Sequence, residues 1–383
     1  MDMVKNKIKI LHVHTLPIVS GSGINTFLTI EGLDKERYEV ELACAPEGAL
    51  IDKVTEKGIR SHPIKNLVQR VSIHNDIAAL FQLVRLIRRE KYRIVHTHNS
   101  KAGFIGRLAA KIAGTPLIIH TIHGFSFHEY EGLLFRKLFI FLERSASRFT
   151  DKLITISEPL KKWGLSLKIG YPEQYITIYS GIEIDKFKKA QVDASRKRQE
   201  FGLEPRDIVV GVVAKLWKGK GHKCILTAAR NIVNKVPNVK FMFVGEGYLM
   251  EELKRMAQEL DLEDHVVFTG FRSDIPEITG IFDIALLISL FEGLGRVLLE
   301  AMVLGKPVIA TNVGGIVDVV DDGKTGILIS PGDTAGLERA IIKLLEDKEL
   351  RVRMGEEGRK KIGDKFSSYV MVKQIEKLYE SLL

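Results

Sequence analysis

Two glutamates eight positions apart, Glu292 and Glu300, bracket the stretch richest in chemistry, Leu290-Phe-Glu-Gly-Leu-Gly-Arg-Val-Leu-Leu-Glu-Ala-Met302. A strand-like apolar run, 283–288, leads into it. Gly293 and Gly295 then turn the chain into a helical pattern carried by Val297, Leu298, Leu299, Ala301 and Met302. A helix entered through glycines presents unpaired N–H groups and the positive end of its dipole, which suits a phosphate. Over a fully helical path the two acids would stand about 12 Å apart. That span fits a nucleotide-sugar, with sugar near one acid, ribose hydroxyls near the other and diphosphate between. Spacing alone also fits a surface turn followed by a helix with two solvated glutamates.

A second candidate is Lys215-Leu-Trp-Lys-Gly-Lys-Gly-His222, which follows a strand pattern at 207–214 and opens another helix. Lys215, Lys218 and Lys220 on a flexible loop can surround a diphosphate as charge builds on a leaving group, or simply solubilise the surface. Val244-Gly-Glu-Gly247 is a further strand-to-helix turn in which Gly245 serves either packing or a ligand. Thr311-Asn-Val-Gly-Gly-Ile316 is a third glycine turn, and 321–326 reads as a hairpin turn outside the site. Near the N-terminus, Ser20-Gly-Ser-Gly23 reads as a glycine loop. It lacks the Gly-Lys-Ser/Thr of a Walker motif, but a phosphate or sugar can approach the backbone at Gly23.

Seven histidines, at 12, 14, 96, 98, 120, 123 and 128, crowd the first half. Alternate residues such as His12/His14 and His96/His98 share a strand face, so a metal centre has to be weighed. No carboxylate stands at ligand spacing, and the expectation is packed or supporting histidines with no metal. His123 differs, since it lies just past a strand end and precedes Gly124.

These loops need a scaffold, and the chain supplies one. Its 383 residues suffice for about two domains with proper cores. Strand and helix patterns alternate twice over, which predicts two doubly wound, mainly parallel α/β sheets with ligands at the strands' carboxyl ends. The charged stretch 183–198 marks the junction: residues 1–186 form a first domain and 187–366 a second, with a deep cleft between them. An amphipathic tail, 367–383, is expected to pack back on the first. Cys44 and Cys224 form neither a disulfide framework nor a metal cluster, in keeping with a cytoplasmic setting. The N-terminus resembles no signal peptide, and no apolar run approaches the roughly 20 residues that cross a bilayer. A net charge of +9 calls for polyanionic partners. With no zinc-finger spacing or aromatic RNA-binding motif, nucleic acid is the weakest of these.

Together these motifs resemble the retaining glycosyltransferases of family 4, which have the GT-B fold of two Rossmann-like domains. The stretch 291–302 is similar to that family's Glu-x7-Glu signature, and 305–315 and 322–333 extend the resemblance. What it implies is a nucleotide-diphosphate-sugar donor on the second domain, UDP-linked before GDP-linked. Glu300 would hold the ribose and Glu292 the transferred sugar. Gly293, Leu294 and Gly295 would hold phosphate and sugar through their backbone. Lys215 and Lys220 match the family's cation pair, although the first is normally arginine. Gly23 matches a loop glycine, with Ser22 in place of its partner. His123 matches a histidine near the sugar, and Phe271 falls where the backbone meets the base. No cofactor or metal is implied.

The segments His98-Asn-Ser-Lys-Ala-Gly103 and 121–128 resemble the bacterial subset that builds surface polysaccharides on lipid-diphosphate carriers. That resemblance makes Asn99, Ser100 and Lys101 acceptor-side residues and the acceptor a glycan or lipid-linked hydroxyl. The basic, apolar stretch 133–144 reads first as a core-facing helix with solvated cations. Its second reading is a helix lying on an anionic membrane, giving weak peripheral contact at the inner face. The alternatives are a GT-B sugar epimerase and a non-catalytic nucleotide-sugar binder.

Overall fold

The computed structural model describes residues 7–18, 20–125, 127 and 132–383. The chain forms two compact units: one runs up to Gly181 and includes Ser368–Leu383, the other is Ile182–Ser367. The polar stretch 183–198, placed at the junction by its charge, therefore lies inside the second unit and forms short helices there.

In the first unit, β1 (Ile8–Val13) leads to α1 (Gly21–Gly32), β2 (Tyr38–Cys44), α2 (Ala49–Glu56) and β3 (Ser61–Pro63). Next come α3 (Ile73–Glu90), β4 (Ile94–His98), α4 (Ser100–Ala113), β5 (Leu117–Ile122) and α5 (Leu133–Ser147). The sheet ends with β6 (Lys152–Thr155), α6 (Glu158–Ser166) and β7 (Tyr175–Thr177). In the second unit α7 (Ile184–Lys188) and α8 (Ala194–Glu200) precede β8 (Ile208–Val213), α9 (His222–Lys235), β9 (Val239–Val244) and α10 (Met250–Glu259). They are followed by β10 (Val266–Gly270), α11 (Ile275–Gly280), β11 (Ile284–Leu287), α12 (Arg296–Val303), β12 (Val308–Thr311) and α13 (Ile316–Val319). The chain finishes with β13 (Gly326–Ile329), α14 (Thr334–Glu346), α15 (Lys348–Ile362) and α16 (Ser368–Leu382).

Both sheets are parallel. Their strand orders are β3-β2-β1-β4-β5-β6-β7 and β10-β9-β8-β11-β12-β13. Strands buried on both faces read as continuous apolar runs, as Ile-Val-Val-Gly-Val-Val in β8 does. The order reverses between β1 and β4 in one sheet and between β8 and β11 in the other. Those switch points are where such folds bind ligands.

One face of the first sheet packs Leu11, Val13 and Val95 against α3 and α4. The other packs Ile10, Ile94 and Ile119 against α1 and the returning α16, whose Met371, Val372, Ile375 and Tyr379 are buried. The second core gathers Val210, Phe241, Leu286 and Ile309 with apolar residues of α9 and α14.

Three further sequence expectations change. Residues 20–23 are not a loop: Ser20 is the N-cap and Gly21-Ser-Gly23 the first turn of α1. Residues 321–326 do not close a hairpin, because β12 and β13 run parallel and the turn only brings the chain from α13 into β13. Finally, α5 is not a core-facing helix along its first ten residues, where Leu134 is 85% and Phe141 64% exposed. The short β7 was not foreseen, since three residues carry too little periodicity.

The polar interior of the first sheet has a consequence for acid stability. His12, His14, His96, His98 and His120 are all buried. Burial pushes His12 down to about 3 and His14 to about 4, and holds the other three well below 6.5. Below pH 6.5 the unfolded chain binds protons that the folded chain refuses. Their stabilisation is complete above about 6.5 and is lost as pH falls toward 4, by about 1.4 kcal/mol per pH unit for each group. The melting temperature is therefore expected to fall steadily from pH 7 to pH 5. A flat profile over that range, recorded by circular dichroism, would show that these rings are not held neutral.

Candidate active site

In the second unit three loops meet at the carboxyl ends of adjacent strands. The loop after β8 carries Lys215 and Lys220, the loop after β11 carries Glu292, and the loop after β12 carries Gly314. Leu290 N donates to Gly219 O at 2.8 Å, and Gly315 N to Glu292 O at 3.2 Å, so the backbones are tied together. A Cβ at Gly314, whose φ is +49°, would fall 1.9 Å from Glu292 O. One at Gly221 would fall 2.0 Å from Ile288 O. These contacts explain why glycine occupies both turns.

The side chains converge as well. Lys220 Nζ donates to Glu292 Oε1 at 2.6 Å, and Ser289 Oγ donates to the same oxygen at 2.7 Å. Thr311 Oγ1 in turn donates to Ser289 O at 2.5 Å. The pair is only partly withdrawn from water, with side-chain exposures of 30% and 15%. Lys215 lies with Nζ 4.4 Å from the Trp217 ring centroid. Burial, then the neighbouring Lys220 charge, lowers its pKa. An ammonium so placed gains from any anion that joins it.

Gly293 and Leu294 lie in the turn before α12, and Gly295 is its N-cap at φ +84°. Glu300 sits one turn above Arg296 on that helix, and each keeps partial exposure. Burial raises the Glu300 pKa, opposed chiefly by the Arg296 charge. Gly245, at φ +142°, donates its N–H to Gly270 O at 2.9 Å. There a Cβ would meet Ala214 O at 2.2 Å, so close packing already requires glycine. Phe271 follows directly, 64% exposed.

The first unit places its residues around the β1/β4 switch point. The parallel register sets His12 beside His96, and His98 beside Thr121. His96 Nδ1 lies 2.5 Å from the Tyr379 hydroxyl and its Nε2 lies 2.7 Å from Thr121 Oγ1. His98 bridges His12 Nδ1, at 2.9 Å, and His123 Nε2, at 3.1 Å. His14 Nδ1 donates to Leu16 O at 2.8 Å, since a carbonyl can only accept. Its Nε2 then accepts from Asn99 Nδ2 at 2.8 Å. Asn99 holds this orientation at φ +61°, ahead of Ser100, the first residue of α4. Lys101 pairs with Asp76 at 2.6 Å and so braces α4 against α3. Gly23 is buried, and a Cβ there would meet Ile18 O at 2.1 Å. The ligating atoms of His12, His96 and His98 lie within 4.8 Å of one another, but both nitrogens of His96 and of His98 are already engaged. His128 lies outside the described residues.

Sequence reasoning missed Ser289, Thr311, Arg296 and the aromatic cover of Lys215 by Trp217. Of these Arg296 had a signal, a cation four residues before Glu300 on an otherwise apolar helix. Ser289 and Thr311 had none, because their roles depend on which strands are neighbours.

Known proteins resemble this chain along its whole length. Residues 19–186 match the model described as Glycosyltransferase Family 4, and residues 193–361 match Glycosyl transferases group 1. The UDP-Gal:alpha-D-GlcNAc-diphosphoundecaprenol alpha-1,3-galactosyltransferase of Escherichia coli is 32% identical over 382 residues, spanning 99% of this chain and 98% of its own. The capsular polysaccharide biosynthesis glycosyltransferase CapM of Staphylococcus aureus is 29% identical, over 99% and 98%. Among solved structures, Anabaena HepE in complex with UDP superposes with a TM-score of 0.83 at 25% identity, over 98% of this chain and 100% of its own. With both halves matched by these models and a relative 32% identical along its whole length, the chain belongs to family 4 of the glycosyltransferases and has the two Rossmann-like domains of the GT-B fold.

Proposed function

We propose that the second unit binds a UDP-sugar and that the enzyme passes its sugar, with retention at the anomeric carbon, to a hydroxyl of a lipid-diphosphate-linked or growing glycan. The observation that carries this reading is Lys220 Nζ set 2.6 Å from Glu292 Oε1 beside the glycine entry to α12. A carboxylate and an ammonium are thus already aimed at one place, where a sugar and the phosphate it leaves would lie. The Escherichia coli galactosyltransferase, by its name, uses UDP-galactose and a diphosphoundecaprenol-linked acceptor. That favours UDP and a lipid-linked acceptor here, in bacterial surface-glycan synthesis.

In the proposed reaction Glu300 takes the ribose hydroxyls, while Lys215, Lys220 and the N–H groups opening α12 take the diphosphate. The bond from the anomeric carbon to the phosphate oxygen breaks and leaves its electron pair on that oxygen. The acceptor hydroxyl attacks from the same face, and its proton passes to the departing phosphate. Glu292 stabilises the positive charge on the ring. No metal is invoked, because two ammonium groups and a helix end offset the leaving charge. The acceptor side falls to the first unit, through His123, Asn99 and Ser100.

The enzyme also associates with the membrane surface in this reading. The exposed Leu133, Leu134, Leu138 and Phe141 of α5 are interleaved with Arg136, Lys137 and Arg144. On α3, which packs on α4, Ile73, Ile77 and Phe81 are exposed as well. Among the described residues no helix is long and apolar enough to cross a membrane. Apolar side chains in a basic setting suit the headgroup boundary of an anionic bilayer.

Two experiments test these readings. UDP-sugars are expected to raise the melting point, by about 2.7 kcal/mol of added stability at a hundredfold excess over Kd, where GDP-sugars do not. Glu292→Gln should keep that shift yet lower transfer about a hundredfold or more. Stabilisation by GDP-sugars alone would overturn the donor, surviving turnover the role of Glu292, and an inverted product the stereochemistry. For the membrane, co-sedimentation with phosphatidylcholine vesicles containing phosphatidylglycerol should weaken with salt and disappear in a Leu134→Asp, Phe141→Asp variant. Equal binding to phosphatidylcholine alone would rule out the electrostatic part.

A further inference from the structure

Two buried imidazoles stand in file behind His123. His12 Nδ1 lies 2.9 Å from His98 Nε2, and His98 Nδ1 lies 3.1 Å from His123 Nε2. His12 and His98 are 0% and 1% exposed. Burial lowers the pKa of both, so each is neutral near pH 7 and carries one ring hydrogen. A hydrogen bond between two ring nitrogens needs one N–H and one lone pair. Two arrangements satisfy both bonds: the hydrogens sit on Nδ1 in every ring, or on Nε2 in every ring.

The two differ at the inner end. His12 Nε2 is buried and has no hydrogen-bond partner among the described residues. His96 does not serve it, because both His96 nitrogens are engaged with Tyr379 and Thr121. With hydrogens on Nε2 the file would start from a buried N–H that has no acceptor. With hydrogens on Nδ1 it leaves only an unused lone pair, and orphaned buried donors are the rarer of the two in folded proteins. Close by, His14 shows the same polarity, fixed by a carbonyl: Nδ1–H to Leu16 O and an accepting Nε2.

We infer that His12 and His98 are positioning residues that hold the ring hydrogen of His123 on Nδ1, with its Nε2 accepting from His98. Any oxygen that meets Nδ1 then receives a hydrogen bond and cannot donate one. A sugar hydroxyl there is read as an acceptor, and its own hydrogen is directed elsewhere. The effect on catalysis rests on the glycosyltransferase reading of His123; the placement of the hydrogen does not.

The test is a long-range proton–nitrogen correlation spectrum of the full chain labelled with nitrogen-15 histidine, near neutral pH. His12, His98 and His123 are each expected to show hydrogen on Nδ1 and a lone pair on Nε2. Hydrogen on His123 Nε2 would overturn the inference, and so would one equivalent of zinc in the purified protein, since coordination would consume the lone pairs of the file. That measurement needs no substitution. In His98→Leu no ring nitrogen faces His123, which is itself partly exposed, and the polarity is no longer imposed on it. His123 should then become a mixture of tautomers and kcat fall about two- to tenfold with KM little changed, the worth of one oriented hydrogen bond. In His98→Asn the amide nitrogen stands where Nδ1 stood, and the His123 hydrogen should stay on Nδ1. An unchanged tautomer in His98→Leu would show that the file does not set it. If no nucleotide-sugar supports transfer, the functional reading fails while the tautomer result stands.

Discussion

The candidate donor site depends on backbone approaching backbone. At the carboxyl ends of β8, β11 and β12 the loops lie so close that a Cβ at Gly221 or Gly314 would be about 2 Å from a carbonyl oxygen of the neighbouring loop. Side chains at those turns would push apart the loops bearing Lys220 and Glu292. The 2.6 Å contact between these residues is thus a product of main-chain packing. Parallel sheets supply such a place at the switch point, where adjacent strands send their following helices to opposite faces.

The two units treat polar groups in contrasting ways. In the second, charges stay at the rim and keep some water. In the first, histidines lie inside the sheet, neutral, with most ring nitrogens given to another side chain. Burying a charged imidazole would be costly, and burying a neutral one is tolerable only when its nitrogens are paired. The helix α16 takes part in this pairing, since Tyr379, fully buried, brings its hydroxyl to His96. The end of the chain thereby supports residues near its beginning.

Much of this was legible in the amino-acid order. The parallel sheets followed from apolar runs alternating with helical patterns, and the Glu292–Glu300 stretch stood out because glycines, acids and an apolar helix occur there in a fixed order. The misreadings have physical causes. Gly21-Ser-Gly23 resembles a loop by composition, yet close packing on Ile18 O, and not a need for flexibility, explains Gly23. Charge at 183–198 suggested the domain junction, but α7 within it buries Phe187 and packs on α12 of the second unit. Apolar residues at helical spacing in 133–144 suggested a core, whereas burial depends on what the opposing surface offers. Ser289 and Thr311 gain their roles only when β11 and β12 become neighbours, a fact of topology that no local pattern encodes.

The ion pair between Lys220 and Glu292 bears on how a donor would be received. A partly solvated pair of this kind contributes about 1 kcal/mol or less, so its loss costs the fold little. It does restrict where the two groups can be. Glu292 is held from behind by Ser289, itself held by Thr311, so Lys220 is kept over the turn that opens α12. On the proposed reading an arriving diphosphate brings two negative charges to an ammonium already oriented by one. The carboxylate left behind faces the sugar, where positive charge develops as the bond to phosphate breaks. Orientation is settled before the substrate binds, and the charge that held the lysine in waiting becomes the charge that steadies the reacting ring.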